Sequence, residues 1–159
     1  MNDAEQARTW ELMSSLTFCM LTNWNGEILH SRPMGAFVQR RENAVYFFSD
    51  ARAEKNEEIR RYPQVCLAFA DLRKQKYVSV SGTAEVIEDR DKVKELWSIS
   101  AKVWWRTPDN PNLRLIKITP SEAEIWDTPG QVVSSLKVAL ALLKGTTPDH
   151  GGEHVKVAF

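Results

Sequence analysis

The chain predicts a mainly β domain with α: a six-stranded antiparallel sheet closed into a small barrel, with helices at its periphery. Three observations point there. Six runs of strand length carry the β-branched and aromatic residues that suit a pleated, half-buried surface. In "KYVSVSGTAEVIE", Val78, Val80, Ala84 and Val86 alternate with Ser79, Ser81, Thr83 and Glu85. Asn25-Gly26, between two of the runs, is a type I′ hairpin signal. Closing such a sheet removes its exposed edges.

Taken in order, Ala7, Trp10, Met13 and Leu16 share one face of a helix predicted over residues 3–15. The strands "LTFCMLTNW" and "EILHSRPMGAFV" flank Asn25-Gly26, and "AVYFFS" is the third. "DARAEKNEEIRRYP" follows as a short helix that Asp50 can cap and Pro63 ends. "QVCLAFA" and "KYVSVSGTAEVIE" are the fourth and fifth strands. "DRDKVKELWSISAK" reads as one helix with acids at its start and Val93, Leu96, Trp97 and Ser100 at helical spacing. The loop "WWRTPDNPN" leads to the sixth strand, "LRLIKITP", which continues towards "EAEIWD". Pro129-Gly130 breaks the chain before a last helix, "QVVSSLKVALALLK". Its apolar stripe is Val132, Val133, Leu136, Ala139, Leu140 and Leu143, and Gly145 ends it. Residues 1–145 are expected to form a single domain, with 146–159 a flexible tail.

Composition narrows the function. A length of 159 residues allows one sizeable core and is short for two. Lys and Arg total 21, as do Asp and Glu, so the basic excess of a nucleic-acid binder is missing. Cys19 and Cys66 lie in apolar runs without short spacing, as buried thiols in a reducing compartment do. The polar start "MNDAEQART" lacks a secretory pattern, and "VALALL" falls short of a membrane span. A cytoplasmic protein without a membrane or nucleic-acid partner is expected.

The stretch "HSRPMG" holds the oddest chemistry. Pro33 cannot donate to a sheet ladder, and Arg32 beside it needs water or an anion. Ser49 and Asp50 end the third strand, and Arg52 and Lys55 stand at the start of the following helix. Free amides and the helix dipole favour an anion there, whereas cations are unfavourable to the helix itself. Arg52 and Lys55 therefore make best sense beside a phosphate. On spacing alone the ordinary alternative, that Arg32, Arg52 and Lys55 are solvated surface charges, is the favoured one, since charged residues are mostly exposed. Trp104, Trp105 and Trp126 offer flat apolar surface for stacking or for core and interface packing. His150 and His154 in "HGGEH" have metal-ligand spacing only on a helix, which two glycines disfavour, so no metal is expected. His30 reads as a strand residue. No nucleophile stands beside a base and no glycine-rich phosphate loop occurs, so no catalytic residue is assigned.

The blocks "TFCMLTNWNGEILHSRPMG", "VYFFSDARAEKNEEIRRYPQVCLAFAD", "KYVSVSGTAEVIEDRDKVKELW" and "LIKITPSEAEIWD" keep an order and spacing that resemble a known family. It is the general stress protein branch of the pyridoxamine 5′-phosphate oxidase-like family. The resemblance implies a split β-barrel, and a homodimer that binds FMN, or alternatively FAD, in two equivalent clefts between subunits. By position it implies Arg32, Ser49 and Lys55 at the phosphate. It also implies backbone contacts from Pro33 and Met34, a lining of Phe48 and Asp50, and Tyr77 at the ring edge. Trp104 and Trp105 would lie close to the partner's flavin. Glu54 departs from the arginine that the oxidases commonly carry before the phosphate lysine, with Arg52 a possible substitute. The segment "EIWDTPGQVVSSLKVALALL" has no arginine where those oxidases hold their substrate phosphate, which argues against pyridoxamine phosphate oxidation.

Two functions stay open at this level. One is an oxidoreductase passing electrons from reduced flavin to an unknown acceptor. The other is a non-catalytic flavin binder or carrier acting through partner contacts in stress response. Related barrels can use a deazaflavin or haem instead. The first needs a longer basic groove and the second an axial ligand, for which only His30 lies inside the folded body.

Overall fold

The computed structural model of the chain describes residues 3–127, 131–147 and 153–159, with the side chains at 99, 100, 104 and 131–134 outside that description. Helix α1 (Asp3–Leu16) leads into the hairpin of β1 (Phe18–Trp24) and β2 (Leu29–Gly35). After β3 (Phe37–Gln39) and a single 3-10 turn, β4 (Ala44–Asp50) runs into α2 (Glu54–Arg61). Then come β5 (Gln64–Asp71), β6 (Lys76–Ile87), α3 (Arg90–Leu96) and α4 (Ile99–Trp105). The long β7 (Leu113–Asp127), α5 (Gln131–Lys144) and β8 (Glu153–Ala158) complete the chain.

The sheet order explains the shape. The strands run β2-β1-β5-β6-β7-β4-β3, every pair antiparallel, with β8 added on β7. The two ends of that path, β2 and β3, are consecutive in sequence with only Ala36 between them. A sheet whose opposite edges are joined by one residue must curl back on itself, and the result is a split β-barrel. Eight strands stand where six were expected. The second predicted run divides at Ala36, whose amide donates to the Thr17 carbonyl opposite it at 2.7 Å before the chain crosses over to pair with β4. The expected flexible tail is corrected over Glu153–Ala158, which pairs in register with Glu122–Asp127 as β8. Val157 and Phe159 pack on the core there, the latter edge-on to Trp10 at 5.3 Å. The remainder of the tail from 148 to 152 lies outside the described residues, as does Pro129-Gly130.

Local chemistry shapes the turns. The β1–β2 loop has four residues, not the two of a type I′ turn. The Asn25 carboxamide oxygen accepts from the amides of Glu27 and Ile28, both at 2.9 Å, and this side-chain-closed turn displaces the tighter one. Gly26 sits there at φ 103°, with the Tyr62 hydroxyl only 2.9 Å from where a Cβ would stand. Between Ser81 and Gly82 the β6–β7 register shifts, and a Cβ on Gly82 would stand 2.6 Å from the Thr119 carbonyl oxygen. Glycine is required at that bulge, which bends the two longest strands round the barrel.

Hydrophobic burial divides between two clusters. Leu21, Phe47, Leu67, Val80 and Ile118 fill the barrel, closed by Trp10 and Met13 of α1 and Ile59 of α2. Outside the β4–β7 pair, Tyr46, Leu113 and Leu115 pack against Val93 and Leu96 of α3. Because β4 is covered on both faces, its sequence is a continuous apolar run without alternation. The predicted single helix over 89–102 divides in two. Asp89 caps α3, Trp97 is extended, and Ser98 caps α4. No helix of the described residues is long and apolar enough to cross a membrane.

Candidate functional site

A slot of about 300 Å³ opens where the barrel is split. It is lined by Phe18 of β1, Pro33, Met34 and Gly35 of β2, Phe37 of β3, Phe48 of β4, and Ala101 and Trp105 of α4. The volume is at the small end of ligand pockets, and every lining side chain is uncharged. Phe48 forms a wall, edge-on to Phe37 at 5.0 Å and to Trp97 at 5.9 Å. The break between α3 and α4 makes this possible: it turns Trp97 inwards and lets α4 present Ala101 and Trp105. After Trp105 the chain reverses at Arg106, at φ 60° and ψ −46°, where the Thr107 amide donates to the Trp105 carbonyl at 2.6 Å. This is a strained three-residue turn at the edge of the slot.

Two cations follow slot residues closely in the chain, Arg32 next to Pro33 on β2 and Lys55 on α2, past Phe48 of β4. Arg32 precedes Pro33 on β2, an edge strand paired only with β1, which is where a proline is tolerated. Its guanidinium donates to the Asn23 carboxamide oxygen at 2.6 Å. Lys55 lies close by in the first turn of α2. Burial pushes the Lys55 ammonium below its ordinary pKa, and the neighbouring Arg32 lowers it further, against an opposing pull from Asp50. Neither Arg32 nor Lys55 forms an ion pair among the described residues. Two cations drawn together with no ion pair to either repel each other until an anion joins them.

The junction of β4 and α2 is held by its own hydrogen bonds. Ser49 is 1 % exposed, and its hydroxyl donates to the Asn56 carboxamide oxygen at 2.8 Å. The Asn56 amide nitrogen donates in turn to the Asp50 carbonyl at 2.7 Å. The structure thus places Ser49 inside, bracing α2, and not at the surface. Asp50 does not cap the helix as expected. Its carboxylate accepts from the Arg52 amide at 2.8 Å and from the Arg52 guanidinium at 2.6 Å, which hold its pKa down at about 2. Ala53 occupies the N-cap position and offers no side-chain bond, so the first amides of α2 lack a side-chain cap.

Of the sequence-predicted residues, the structure gathers Pro33, Met34, Phe48 and Trp105 on the slot and Arg32 and Lys55 beside it. Tyr77 is elsewhere. It lies on β6 opposite Trp126 of β7, facing outwards in the row of Phe18 and Ala70. The Trp104 side chain and His150 lie outside the described residues. His154 stacks on Trp126 at 4.9 Å and meets the Glu124 carboxylate at 2.9 Å. No group of three or more His, Cys, Asp or Glu side chains that could hold a metal occurs among the described residues. Sequence reasoning overlooked Asn23, Asn56 and Trp97. The available signals were an Asn at a core-facing strand position, an Asn in a helix's first turn, and Ser98 as a cap.

An antiparallel barrel split at one seam, with an apolar slot at that seam, defines the class as a split β-barrel protein. Residues 4–149 match the family described as pyridoxamine 5′-phosphate oxidase like, and the chain belongs to that family. It is similar to general stress protein 26 of Bacillus subtilis (strain 168), 27% identical over 116 residues that span 69% of this chain and 79% of that one. A solved structure from Jannaschia sp. CCS1, named general stress protein 26, superposes with a TM-score of 0.79 at 25% identity, covering 99% of this chain and 100% of that one. The general stress FMN/FAD binding protein of Xanthomonas citri superposes with a TM-score of 0.70 at 24% identity, covering 79% of this chain and 90% of that one.

Proposed function

We propose that this chain is a flavoprotein that binds FMN, its ring system in the split-barrel slot and its phosphate between Arg32 and Lys55. The observation that carries the reading is the juxtaposition of an uncharged slot with two neighbouring cations that form no ion pair among the described residues. A flavin mononucleotide has that polarity, a flat apolar ring at one end and a phosphate of about two negative charges at the other. The uncapped amides of α2 add donors at the anionic end. The name of the Xanthomonas citri relative supports a flavin over a deazaflavin or haem. FMN is preferred to FAD because a terminal phosphate makes fuller use of two cations than a bridging diphosphate does.

The proposed assembly is a homodimer. Ser31 and Pro33 of β2, Phe18 and Met20 of β1, Cys66, Ala68 and Ala70 of β5, and Tyr77 and Ser79 of β6 share one outward face that is uncharged up to its border with Glu122 and Glu124 of β7. Phe18 is 65% exposed there. An uncharged sheet face of this extent is the kind that proteins cover. A second copy seated on it would bring its Tyr77 and Trp126 towards the neighbouring slot, which accounts for Tyr77 lying away from the slot of its own chain.

Bound flavin would supply the redox chemistry; the chain's residues bind and orient it and exclude water from one side of the slot. The slot's lining side chains within one chain include no titratable group, so none of them donates or removes a proton. This favours either electron transfer to a small acceptor in the cytoplasm or a carrier role without turnover. Purified protein should show flavin absorbance with bound FMN released on denaturation, and it should elute as a dimer. Addition of NADH or NADPH with a dye acceptor separates enzyme from carrier. Protein that neither carries nor binds a flavin overturns the reading, and monomers with full FMN affinity overturn the shared cleft.

A further inference from the structure

We infer that Glu58 is a positioning residue for the anionic end of the site, acting on Arg32 through the buried carboxamide of Asn23. The inference rests on the FMN reading above and adds a component outside the proposed contact set. Asn23 is 1 % exposed and lies on the barrel-facing side of β1. A carboxamide has two chemically distinct ends, and rotating it by half a turn exchanges an acceptor for a donor. Here the two ends are told apart by their neighbours. The nitrogen donates to the Glu58 carboxylate at 2.7 Å, and the oxygen accepts from the Arg32 guanidinium at 2.6 Å. Glu58 can only accept and Arg32 can only donate, so the Asn23 orientation that satisfies one satisfies both.

Removing Glu58 weakens that discrimination, since the Asn23 nitrogen then keeps only its long contact to the Trp24 carbonyl, at 3.4 Å. An Asn23 carboxamide free to turn would point its own donors at the Arg32 guanidinium for part of the time and push it from its place. Glu58 stands one turn beyond Lys55 on α2. The same helix therefore presents one cation directly and fixes the other through Asn23, while Asn56 and Ser49 brace its start. Both cations are then referred to one rigid element, as a two-point grip on a phosphate requires.

The test exploits a conflict of sign. By charge alone, deleting a carboxylate near a phosphate site should tighten FMN, whereas loss of positioning should weaken it. Riboflavin lacks the phosphate and serves as the internal control. Glu58→Ala is expected to weaken FMN about three- to tenfold, with riboflavin affinity unchanged, read by quenching of flavin fluorescence. Glu58→Gln keeps an acceptor for the Asn23 nitrogen and should restore wild-type FMN affinity or better it. Glu58→Lys, which adds a charge favourable to phosphate but offers no acceptor, should also weaken FMN, and it stands in should the alanine variant fail to fold. Unchanged or tighter FMN binding in Glu58→Ala overturns the inference, as does an equal loss for both flavins. Wild-type protein that binds FMN no better than riboflavin overturns the anion site itself and the Glu58 role with it. A wild-type preference for FMN that survives Glu58→Ala overturns only the latter.

Discussion

Two of the places where the described residues bring cations together treat them in opposite ways. Near the β7–β8 junction, Arg8 of α1 and Lys76 of β6 converge on Asp127, Lys76 at 2.7 Å, and Arg8 also reaches Glu153 of β8. Burial pushes the Asp127 carboxyl up, but the hydrogen bonds from Lys76 and Arg8 outweigh it and leave its pKa lowered. Every charge in that group is matched, and the match ties α1, β6, β7 and β8 together. Near the β4–α2 junction, Arg32 and Lys55 converge without an ion pair to either among the described residues, and the pull of Asp50 on Lys55 is outweighed by burial and by Arg32. The residue types are the same; the missing partner is the difference. A cation pair that the chain neutralises is structural, whereas one left for an outside anion marks a site.

The largest test of that contrast removes each pair's function in turn. Replacing Arg32 and Lys55 together by alanine should weaken FMN by about a hundredfold or more, since each charge-assisted hydrogen bond contributes about 1.5–3 kcal/mol. The melting temperature of the flavin-free protein should change little, because the lost bond to the Asn23 oxygen is offset by relief of the repulsion between the two cations. Arg41→Ala, at an exposed position, should leave FMN affinity unchanged. Equal affinities across the three proteins would defeat the assignment. Next in size, Asp127→Ala should cost about 1–2 kcal/mol, or about 3–6 °C of melting temperature, because Arg8 and Lys76 are left facing each other, partly buried. FMN affinity measured on folded Asp127→Ala protein should match the wild type. If the losses were exchanged, with Asp127→Ala sparing stability and lowering affinity, the contrast would be inverted.

The fold was largely legible because hydrophobic patterning is local. The alternation in β6, the Asn25-Gly26 hairpin and the apolar run of β4 each state their environment within a few residues. Strand β8 escaped because "EHVKVA" is short, follows two glycines and gains its stability from Phe159 packing on Trp10, a contact with the other end of the chain. The split of the third helix escaped because Trp97 continues the helical stripe; only the Ser98 cap betrays the break. At the site, cations at a helix start signalled an anion, since they oppose the helix dipole. What could not be read was pairing. Arg52 and Lys55 look equivalent in sequence, yet one folds back on Asp50 while the other is half-buried beside Arg32.

A smaller effect follows from Lys55 itself. An ammonium whose folded pKa is depressed below its unfolded value binds fewer protons folded than unfolded across that interval. Its charge therefore penalises the folded state at neutral pH. The penalty fades as pH rises from the folded pKa towards the ordinary value of 10.5. Lys55→Met should thus raise flavin-free stability at pH 7 by about 0.5 kcal/mol while weakening FMN. The gap between variant and wild type should close as pH approaches 10.5. A variant less stable than the wild type at pH 7 would show that Lys55 already has its counter-charge within the chain.

The smallest effect separates Arg52 from Lys55 and bears on whether Arg52 replaces the arginine that Glu54 displaces. Asp50 has a folded pKa of about 2 against an ordinary 3.8, owing first to the side-chain hydrogen bonds from Arg52. Its contribution to stability is present above pH 3.8 and is lost as pH falls through about 2. The Arg52 side chain is 74% exposed, so solvent screening holds that contribution to a few tenths of a kcal/mol, about the size of other surface pairs. Arg52→Ala should move the Asp50 titration, followed by carboxyl NMR shifts, from about 2 towards 3.8 with little change in melting temperature. Because its guanidinium is already committed to Asp50, the same variant should change FMN affinity less than about threefold, on the scale of a surface charge and not of a direct phosphate contact. A tenfold loss would mean that Arg52 leaves Asp50 for the phosphate when flavin binds, and that the site holds three cations instead of two.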